Sequence, residues 1–367
     1  MTKRILLAAG GTGGHLFPAE ALAHELTRRG HEVHLATDER AGRFSGGFPA
    51  AETHIVPSAT FGSRNPVAVA RSLLKLWTGL RTASALLRRL KPDVTIGFGG
   101  YPSVPPVLSA TQAGWPSMIH EQNAVMGRAN RFLARRVGRI AAGIPQDKAP
   151  AELRDKIVVT GNPVRPAVLE AAKTPYRPSA SGEAFNLVVF GGSQGAAFFS
   201  QVLPEAISLL EPSVRERLRV TQQARTDDEA RVRTYYADAG IPAEVSPFFS
   251  DMADRLAAAH LVISRSGAST VSELAVIGRP SILVPYPYAL DHDQAANAAR
   301  LEAQGGTIVA RQADLTGERL ATILAQLADA PDEAARMAEA ARATGIPNAA
   351  ELLADLVEAM PPRTARS

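Results

Sequence analysis

The segment RILLAAGGTGGH, residues 4–15, determines how the first half of the chain folds. A short apolar run that ends in glycines is typical of a buried parallel strand that opens a βα unit. The next segment, AEALAHELTRRG at 19–30, has apolar residues at helical spacing and ends at a glycine, a common helix stop. HEVHLATD at 31–38 follows as a second strand, so the opening of the chain predicts a strand–helix–strand unit.

The same alternation continues along the chain and restarts after residue 160. DVTIGFGG (93–100) and SMIHEQN (117–123) predict further strands of the first half. NLVVFGGSQGA (186–196) repeats the opening strand and its glycine turn, and LVISRSGAST (261–270) and PSILVPYP (280–287) predict later strands. Strands that alternate with helices indicate parallel sheets with helices on both faces.

These patterns predict an α/β protein of two doubly wound, Rossmann-like domains. GNPVRPAV (161–168) contains two prolines and is the predicted linker, with domains at 1–163 and 164–344. Ligands of open α/β sheets bind at the carboxyl ends of the strands. We therefore expect the two domains to face an interdomain cleft lined by those ends.

The composition excludes several classes of protein. With 367 residues, 46% hydrophobic and 21% charged, the chain has the composition of an ordinary globular protein of two domains. It contains no cysteine, which excludes disulfides and thiolate metal sites and fits a reducing compartment. The apolar run of MTKRILLAAGG is too short for a signal peptide, and no stretch approaches the ~20 apolar residues of a membrane span. Any membrane contact is therefore expected to be peripheral.

The positive charge is concentrated in the first half. Residues 1–164 carry 21 Lys+Arg against 11 Asp+Glu, a balance of +10, and the remainder carries 19 against 25, a balance of −6; these sum to the total of +4. Segment 64–91 has seven basic residues and no acidic one. It combines an apolar stripe with interleaved basic residues: Val69, Leu73, Leu76, Trp77 and Leu80 with Arg71, Lys75 and Arg81.

A basic amphipathic helix that bears Trp suits an anionic membrane surface, where each basic residue adds ~1 kcal/mol. The alternative is a helix whose apolar stripe packs on its own sheet. Five further arginines without acidic neighbours favour the membrane: Arg128, Arg131, Arg135, Arg136 and Arg139. No nucleic-acid motif accompanies the charge, so we predict no nucleic-acid partner.

The first glycine turn, GGTGGH at 10–15, is a candidate phosphate site. Glycines let the backbone approach a phosphate, and a helix N-terminus offers N–H groups. An NAD site with Asp38 on the ribose is an alternative, but the dinucleotide fingerprint would require a glycine where Leu16 stands. His15 is a candidate general base, because histidine titrates near neutral pH, although a lone histidine at a helix start is usually structural.

Three further polar segments end predicted strands. In HEQN (120–123), His120 or Glu121 is a second candidate acid or base, or holds loops together. In GGSQGA (191–196), Ser193 either bonds a phosphate or caps a turn. In SRSGASTVSE (264–273), Thr270 and Glu273 have capping-box spacing, whereas the functional alternative places Glu273 on a ribose diol.

DHDQAANA (291–298) leaves the same choice. Asp291 and Gln294 have the spacing of a helix cap, whereas the amide of Gln294 both donates and accepts and so suits a sugar hydroxyl.

The ordered set of motifs resembles the MurG family of N-acetylglucosaminyltransferases over nearly the whole chain. The motifs are GGTGGH, GFGGYPS (97–103), HEQNAVMGRANR (120–131), TGNPVR (160–165), GGSQGA, SRSGASTVSE and DHDQAANA. The resemblance implies an inverting enzyme of GT-B architecture without cofactor or metal. It implies transfer of N-acetylglucosamine from UDP-GlcNAc to the 4-hydroxyl of the undecaprenyl-diphosphate-linked muramoyl-pentapeptide, lipid I, giving lipid II. It also implies a peripheral protein on the cytoplasmic face of the bacterial inner membrane.

The resemblance also implies the site residues. Arg165 and Ser193 would hold the donor diphosphate, Glu273 the ribose and Gln294 the sugar, with uracil near Phe249, where the family commonly has an aliphatic residue. His15 would be the base, with Glu121 or His120 as the fallback. The whole donor set is Thr12, Gly13, Gly14, Asn123, Arg165, Ser193, Phe249, Ala268, Ser269, Thr270, Val271, Ser272, Glu273 and Gln294, and the acceptor set is Gly10, Gly11, Gly99, Gly100 and Tyr101.

GT-B enzymes commonly return their last helix to the first domain, so residues 345–367 are expected to pack there, with NAAELLADLVEAM (348–360) as the helix. Three rival functions remain at this point: an NAD(P)-dependent enzyme, a non-catalytic nucleotide-sugar or membrane-surface binding protein, and a GT-B transferase with another acceptor. Turnover of UDP-GlcNAc distinguishes the first two from a transferase, and the identity of the acceptor distinguishes the third.

Overall fold

The computed structural model describes residues 2–10, 13–39, 47–59, 65–192, 197–289 and 293–362. The chain forms two compact units. The first comprises Met1–Arg165 and Pro347–Ser367, and the second comprises Pro166–Ile346. Both boundaries fall two residues beyond those expected from the sequence, at 165 instead of 163 and at 346 instead of 344.

Each unit is built on one parallel sheet. The first sheet has the order β3-β2-β1-β4-β5-β6-β7, and the second has the order β10-β9-β8-β11-β12-β13. In both, the order reverses beside the first strand of the unit, which is the place where loops diverge and ligands bind in such sheets. The strands are β1 (Arg4–Ala8), β2 (Glu32–Thr37), β3 (Glu52–Ile55), β4 (Val94–Gly97), β5 (Ser117–Glu121), β6 (Arg139–Ala142), β7 (Ile157–Val159), β8 (Phe185–Phe190), β9 (Leu218–Gln223), β10 (Ala243–Ser246), β11 (Leu261–Ser264), β12 (Ser281–Leu283) and β13 (Thr307–Val309).

Helices connect the strands and cover the sheets. They are α1 (Gly13–Arg28), α2 (Pro66–Leu90), α3 (Val104–Gln112), α4 (Arg128–Ala134), α5 (Ala151–Arg154), α6 (Pro166–Ala171), α7 (Ala197–Ser208), α8 (Pro212–Arg215), α9 (Thr226–Asp238), α10 (Met252–Ala258), α11 (Ala268–Ile277), α12 (Asp293–Ala303), α13 (Gly317–Asp329), α14 (Pro331–Thr344) and α15 (Ala349–Glu358). None of the helices in the described ranges combines the length and apolarity needed to cross a bilayer. The two parallel sheets confirm the predicted α/β fold class.

Helices pack on both faces of the first sheet, and this explains the unbroken apolar sequence of β1. Successive side chains of a strand point to opposite faces. Ile5 and Leu7 belong to the core cluster that includes residues of α1 and α15, whereas Leu6 and Ala8 belong to the cluster that includes residues of α2. A strand covered on both faces has no polar side, which is the pattern of a buried parallel strand.

The C-terminal helix packs on the first unit. Leu353 and Val357 of α15 are fully buried in the same cluster as Leu22 of α1. At the edge of this contact, Arg29 Nη1 lies 2.6 Å from Asp355 Oδ1. The last helix therefore completes the core of the domain that opens the chain.

Candidate active site

The glycine turn that follows β4 lies beside His15 at the carboxyl edge of the first sheet. His15 is the third residue of α1, and Gly99 and Gly100 follow β4 with φ angles of 85° and 69°. A Cβ atom at Gly99 would lie 3.2 Å from His15 Cε1, and one at Gly100 would lie 3.1 Å from His15 Cδ2. The bare backbone of this turn lets the imidazole ring lie against it, and a side chain there would displace the ring.

A chain of close polar contacts leads from His15 into the interior of the first unit. His15 Nδ1 lies 3.4 Å from Gln122 Oε1. The Gln122 amide nitrogen lies 2.9 Å from the Phe98 carbonyl oxygen and 3.1 Å from His120 Nδ1. His120 Nε2 in turn lies 3.3 Å from the Gly161 carbonyl oxygen. The imidazole at the surface is thus connected to a buried one through a single amide group.

His120 does not have the surroundings of a catalytic acid or base. Its side chain is 0% exposed, and each ring nitrogen has a partner inside the unit. Burial lowers the pKa of His120 to about 4, against an opposing contribution from the Gly161 carbonyl. A neutral, enclosed imidazole cannot exchange a proton with a substrate, so the structure argues against the fallback prediction for His120.

The low pKa of His120 predicts a pH-dependent stability of the first unit. In the unfolded chain His120 is protonated near pH 6.5, whereas in the folded chain it is protonated only near pH 4. The free energy of unfolding therefore decreases as the pH falls from 6.5 to 4. Between pH 7 and pH 5 we expect the titration of His120 to lower the free energy of unfolding by about 2 kcal/mol. Urea unfolding followed by the fluorescence of Trp77 and Trp115 measures it, because both tryptophans of the protein lie in the first unit.

The control for this experiment is His120→Gln, which keeps a donor for the Gly161 carbonyl and removes the titrating ring. The loss between pH 7 and pH 5 should shrink by about 2 kcal/mol in the variant. An equal loss in both proteins would contradict a depressed His120 pKa.

Glu121 holds together the loop that follows β5. It is buried, and its Oε1 accepts hydrogen bonds from the backbone N–H and the side-chain amide of Asn123, at 3.0 and 3.2 Å. Its Oε2 accepts from the Gly127 N–H at 3.0 Å and from Asn130 Nδ2 at 2.9 Å. Because four donors occupy the carboxylate, the structure argues against Glu121 as the general base and favours the loop-holding alternative.

The other predicted site residues of the first unit that the structure describes lie around the same carboxyl edge of the sheet. The Arg165 guanidinium carbon lies 4.2 Å from the centre of the Phe17 ring on α1. A Cβ atom at Gly10 would lie 2.8 Å from Thr37 Oγ1, so a side chain there would have to displace the Thr37 side chain. Gly13 and Gly14 begin α1, and Tyr101 begins a short 3₁₀ turn after Gly100. Gly11 and Thr12 lie outside the described residues.

In the second unit, α11 begins three residues earlier than a cap on Thr270 would require. Its N-cap is Gly267, which has no capping side chain, and the helix runs from Ala268. Thr270 is therefore the third helical residue and Glu273 the sixth, so the capping-box alternative is wrong. The predicted donor residues Ala268, Ser269, Thr270, Val271, Ser272 and Glu273 occupy the first two turns of α11, at the carboxyl edge of the second sheet.

Two other predicted donor residues are placed by neighbouring side chains or backbone. Gln294 Oε1 accepts a hydrogen bond from the Tyr286 N–H at 2.9 Å. The Phe249 ring lies under the Arg255 guanidinium, 4.4 Å from ring centre to carbon. Ser193 and Asp291 fall outside the part of the chain that the structure describes, although Gly192 before Ser193 has a φ of 74°.

Arg265 is a buried cation beside the predicted donor segment of α11, and the sequence pattern did not single it out. Its side chain is buried after β11, where it donates to the Val284 carbonyl at 3.1 Å and to Gln312 Oε1 at 2.6 Å. Burial lowers its pKa to about 10. Gln122 was also missed as an individual residue. Both stand inside quoted motifs, but a motif does not show which of its side chains turn inward.

The described residues contain one histidine–carboxylate group close enough to hold a metal ion: His34, Glu52 and His54. His34 Nδ1 and His54 Nε2 lie 3.3 Å apart, and the Arg89 guanidinium lies 3.3 Å from His54 Nδ1. An adjacent guanidinium opposes a cation, and the ring nitrogens already contact one another. The group lies on β2 and β3, and we assign it a structural role.

The basic helix α2 divides into two parts at Gly79. Ala83, Leu86, Leu87 and Leu90 are buried against the sheet, and a Cβ atom at Gly79 would lie 2.1 Å from the Pro57 carbonyl oxygen. Before Gly79 the helix is exposed: Leu73 and Trp77 are each 54% exposed and Leu74 is 62% exposed. Packing on the sheet thus accounts for the part of α2 after Gly79, whereas Leu73, Leu74 and Trp77 before it remain exposed.

The predicted membrane residues divide by exposure in the same way. Leu76 and Leu80 are half-buried, whereas the other members of the set are exposed: Leu73, Trp77, Arg71, Lys75 and Arg81. The Arg81 guanidinium lies over Trp77, 4.7 Å from the ring centre. The guanidinium of Arg136, two residues beyond the end of α4, lies over the ring of the exposed Phe132, 4.3 Å from its centre. Both helices therefore present aromatic and basic side chains together.

Comparison with known proteins places both units in one family. Residues 5–142 match the glycosyltransferase family 28 N-terminal domain, and residues 186–353 match its C-terminal domain. Two relatives carry the name UDP-N-acetylglucosamine–N-acetylmuramyl-(pentapeptide) pyrophosphoryl-undecaprenol N-acetylglucosamine transferase. The one from Mesorhizobium japonicum is 64% identical over 357 residues, and the one from Rhizobium meliloti is 64% identical over 356 residues; each alignment covers 97% of this chain and 95% of the relative.

Solved structures agree. The crystal structure of Acinetobacter baumannii MurG is 30% identical with a TM-score of 0.77, and the match covers 98% of this chain and 100% of that one. A putative UDP-N-acetylglucosamine 2-epimerase from Listeria monocytogenes has a TM-score of 0.70 at 13% identity, with 100% of each chain covered, and shares the fold alone.

Proposed function

Because the chain belongs to the MurG family of glycosyltransferases, we propose that it moves N-acetylglucosamine from UDP-GlcNAc to the lipid-linked N-acetylmuramoyl-pentapeptide of lipid I. The product is lipid II, a precursor of peptidoglycan. The observation that carries the proposal is the position of His15. Its ring lies at the start of α1, against the bare turn of Gly99 and Gly100, at the point where the strand order of the sheet reverses.

The chemistry is a single displacement with inversion. The 4-hydroxyl of the muramoyl sugar attacks the anomeric carbon, and His15 takes its proton. The new carbon–oxygen bond forms as the bond from that carbon to the UDP oxygen breaks, and the electron pair leaves with UDP. The configuration changes from α to β, because attack and departure occur on opposite faces of the ring.

The charge that develops on UDP calls for positive potential at the leaving group. The start of α11 supplies backbone N–H groups and the positive end of a helix dipole. Arg165 and Ser193 add a guanidinium and a hydroxyl, Glu273 binds the ribose, Gln294 binds the sugar, and Phe249 borders the uracil. The glycine turns at residues 10–14 and 97–100 receive the diphosphate of the acceptor.

The assay that tests this function combines the purified protein, labelled UDP-GlcNAc and a soluble analogue of lipid I, with EDTA present. We expect label in the lipid product at an undiminished rate in EDTA. The acceptor assignment would be overturned if the protein binds UDP-GlcNAc and glycosylates another lipid but does not use this acceptor. Failure to bind UDP-GlcNAc at all would overturn the function.

The membrane surface is the proposed third partner, at the cytoplasmic face of the inner membrane. The exposed half of α2 carries large apolar side chains next to Arg71, Lys75 and Arg81. Aromatic and aliphatic side chains of an amphipathic helix enter the interface between headgroups and acyl chains, and the basic ones are drawn to anionic lipid. This docking brings the enzyme to an acceptor that cannot leave the bilayer.

Replacing Leu73 and Trp77 together by serine is expected to weaken binding to vesicles that contain phosphatidylglycerol by about tenfold or more. The two side chains lose their apolar burial in the interface, whereas the core clusters of the first unit include neither of them. Vesicle co-sedimentation measures the change. The matched control is Leu209→Ser, which changes a leucine of similar exposure in the second unit and should bind as the wild type does. Equal binding of all three proteins would contradict the α2 surface.

A further inference from the structure

Gln122 is the first residue after β5, and its orientation is fixed by its surroundings. It is buried, and its backbone carbonyl accepts a hydrogen bond from Asn162 Nδ2 at 3.0 Å. Its amide nitrogen faces three acceptors, the Phe98 carbonyl oxygen at 2.9 Å, His120 Nδ1 at 3.1 Å and the His120 carbonyl oxygen at 3.4 Å. Gln122 Oε1 is left facing His15 Nδ1.

The direction of each hydrogen bond between Gly161 and His15 follows from the Gly161 carbonyl at the buried end of the series. A backbone carbonyl can only accept, so His120 Nε2 must donate to Gly161, and His120 carries its hydrogen on Nε2. His120 Nδ1 is then an acceptor and needs a donor, which is the Gln122 amide nitrogen. Rotating the Gln122 amide would place its oxygen against the Phe98 carbonyl oxygen and the lone pair of His120 Nδ1, so that orientation is excluded.

The outer end of the chain is His15. Gln122 Oε1 has no hydrogen, so the Nδ1 that faces it at 3.4 Å must be the nitrogen that donates. The neutral His15 ring then carries its lone pair on Nε2. A distance of 3.4 Å is long for a hydrogen bond, and such bonds in empty active sites commonly shorten when substrate is bound.

We propose that Gln122 is a positioning residue that selects the tautomer of His15 with a hydrogen on Nδ1 and a free lone pair on Nε2. The inference rests on the proposed role of His15 as the base that accepts the proton of the acceptor hydroxyl. A base must offer an unprotonated nitrogen to the substrate, and its orienting partner must hold the other one. Here a neutral amide does what a carboxylate does in many histidine-based sites.

The anchoring of Gln122 supports this role over simple loop packing. Both of its amide hydrogens are directed to inner partners, and these partners leave only the oxygen for His15. His120, whose two ring nitrogens both have partners inside the unit, becomes the residue that orients the amide. The Gly161 carbonyl thereby sets the hydrogen-bond direction of three side chains, His120, Gln122 and His15, without an added charge beside the base.

The first test is spectroscopic and needs no substitution. Long-range ¹H–¹⁵N correlation spectra of the full-length protein, labelled with ¹⁵N-histidine, distinguish the two neutral tautomers by the shifts of the ring nitrogens. Spectra of His15→Asn identify the His15 signals by their loss. We expect His15 at alkaline pH to carry its hydrogen on Nδ1. A neutral His15 with its hydrogen on Nε2 would overturn the proposal, whatever the variants do.

The second test uses Gln122→Met, which keeps the length of the side chain and removes its polar end. We expect the His15 tautomers to mix and kcat to fall roughly tenfold to a hundredfold, with the KM for UDP-GlcNAc close to wild type. The matched control is Gln146→Met. Gln146 is half-buried in the same unit, and its amide donates to the Asn123 and Ile144 carbonyls. The Gln146→Met substitution should leave the His15 signals unchanged.

The outcomes separate this inference from the function on which it rests. If Gln122→Met leaves the His15 tautomer as in the wild type, the positioning role is wrong even if kcat falls. If His15→Ala retains full turnover while the wild-type tautomer is as expected, Gln122 orients a histidine that is not the base, and the proposed catalytic role fails instead. If Gln122→Met does not fold, the wild-type spectrum still decides.

Discussion

Replacing His15 by alanine is expected to lower kcat by about 10²–10⁴-fold, the usual contribution of a general base. The ring lies against the Gly99–Gly100 turn, and the other two candidates, His120 and Glu121, are buried and hydrogen-bonded. The substitution removes no side chain from the proposed donor site on α11. Binding of UDP-GlcNAc, measured by calorimetry, should therefore stay close to wild type while the single-turnover rate collapses.

The reciprocal control is Glu273→Ala. Glu273 lies in the second turn of α11 and is proposed to bind the ribose diol, so its loss should weaken the binding of UDP-GlcNAc and of UDP. With saturating donor, turnover of this variant should recover more than that of His15→Ala. A His15→Ala enzyme that turns over at the wild-type rate removes His15 from the mechanism, and unchanged UDP affinity in Glu273→Ala removes Glu273 from the donor site.

The fold could be predicted from the sequence because its signals are local. RILLA at residues 4–8 is apolar on both faces because helices cover both faces, and the glycines that follow mark the turn into α1. Each such signal depends on a few neighbouring residues. The same signals repeated in the second half, which is why two parallel sheets were predicted. The strand order β3-β2-β1-β4 was not, because pairing partners are distant in sequence.

The capping-box alternative at Thr270 and Glu273 failed for a reason that spacing does not reveal. A capping box requires the helix to begin just after its serine or threonine. Here α11 begins at Ala268, because Gly267 is extended and the chain turns into the helix directly after it. The spacing T-x-x-E therefore occurs within the helix, where it caps nothing.

The roles within HEQN could not be read from the sequence either. Four polar residues in a row indicate a site, but they do not show that His120, Glu121 and Gln122 are all buried, or that one of them orients a histidine more than 100 residues earlier in the chain. Alternation along the end of β5 sends neighbouring side chains to different partners. Only the tertiary contacts distinguish His120, Glu121 and Gln122.

The second large effect is expected from Glu121→Ala, in the stability of the first unit. The carboxylate of Glu121 accepts four hydrogen bonds in a buried place, three of them from the Gly127 N–H, the Asn123 N–H and Asn130 Nδ2. Leaving a buried donor without its acceptor costs about 1–3 kcal/mol each, reduced where water enters the space. We expect a loss of about 3–5 kcal/mol in the free energy of unfolding, measured in urea by tryptophan fluorescence.

Glu121→Gln separates this role from catalysis. An amide keeps one acceptor oxygen and turns its nitrogen toward two donors, so roughly half of the stability loss should remain. Glu152→Ala is the control for a carboxylate in the same unit. Its pair with Arg135, at 2.8 Å, is exposed to solvent, so loss of this carboxylate should change the free energy of unfolding little. A Glu121→Gln protein that is as stable as the wild type but lacks turnover would show that the carboxylate acts in the chemistry. Turnover that falls only in proportion to the folded fraction would instead establish Glu121 as the residue that holds the Asn123 loop in place.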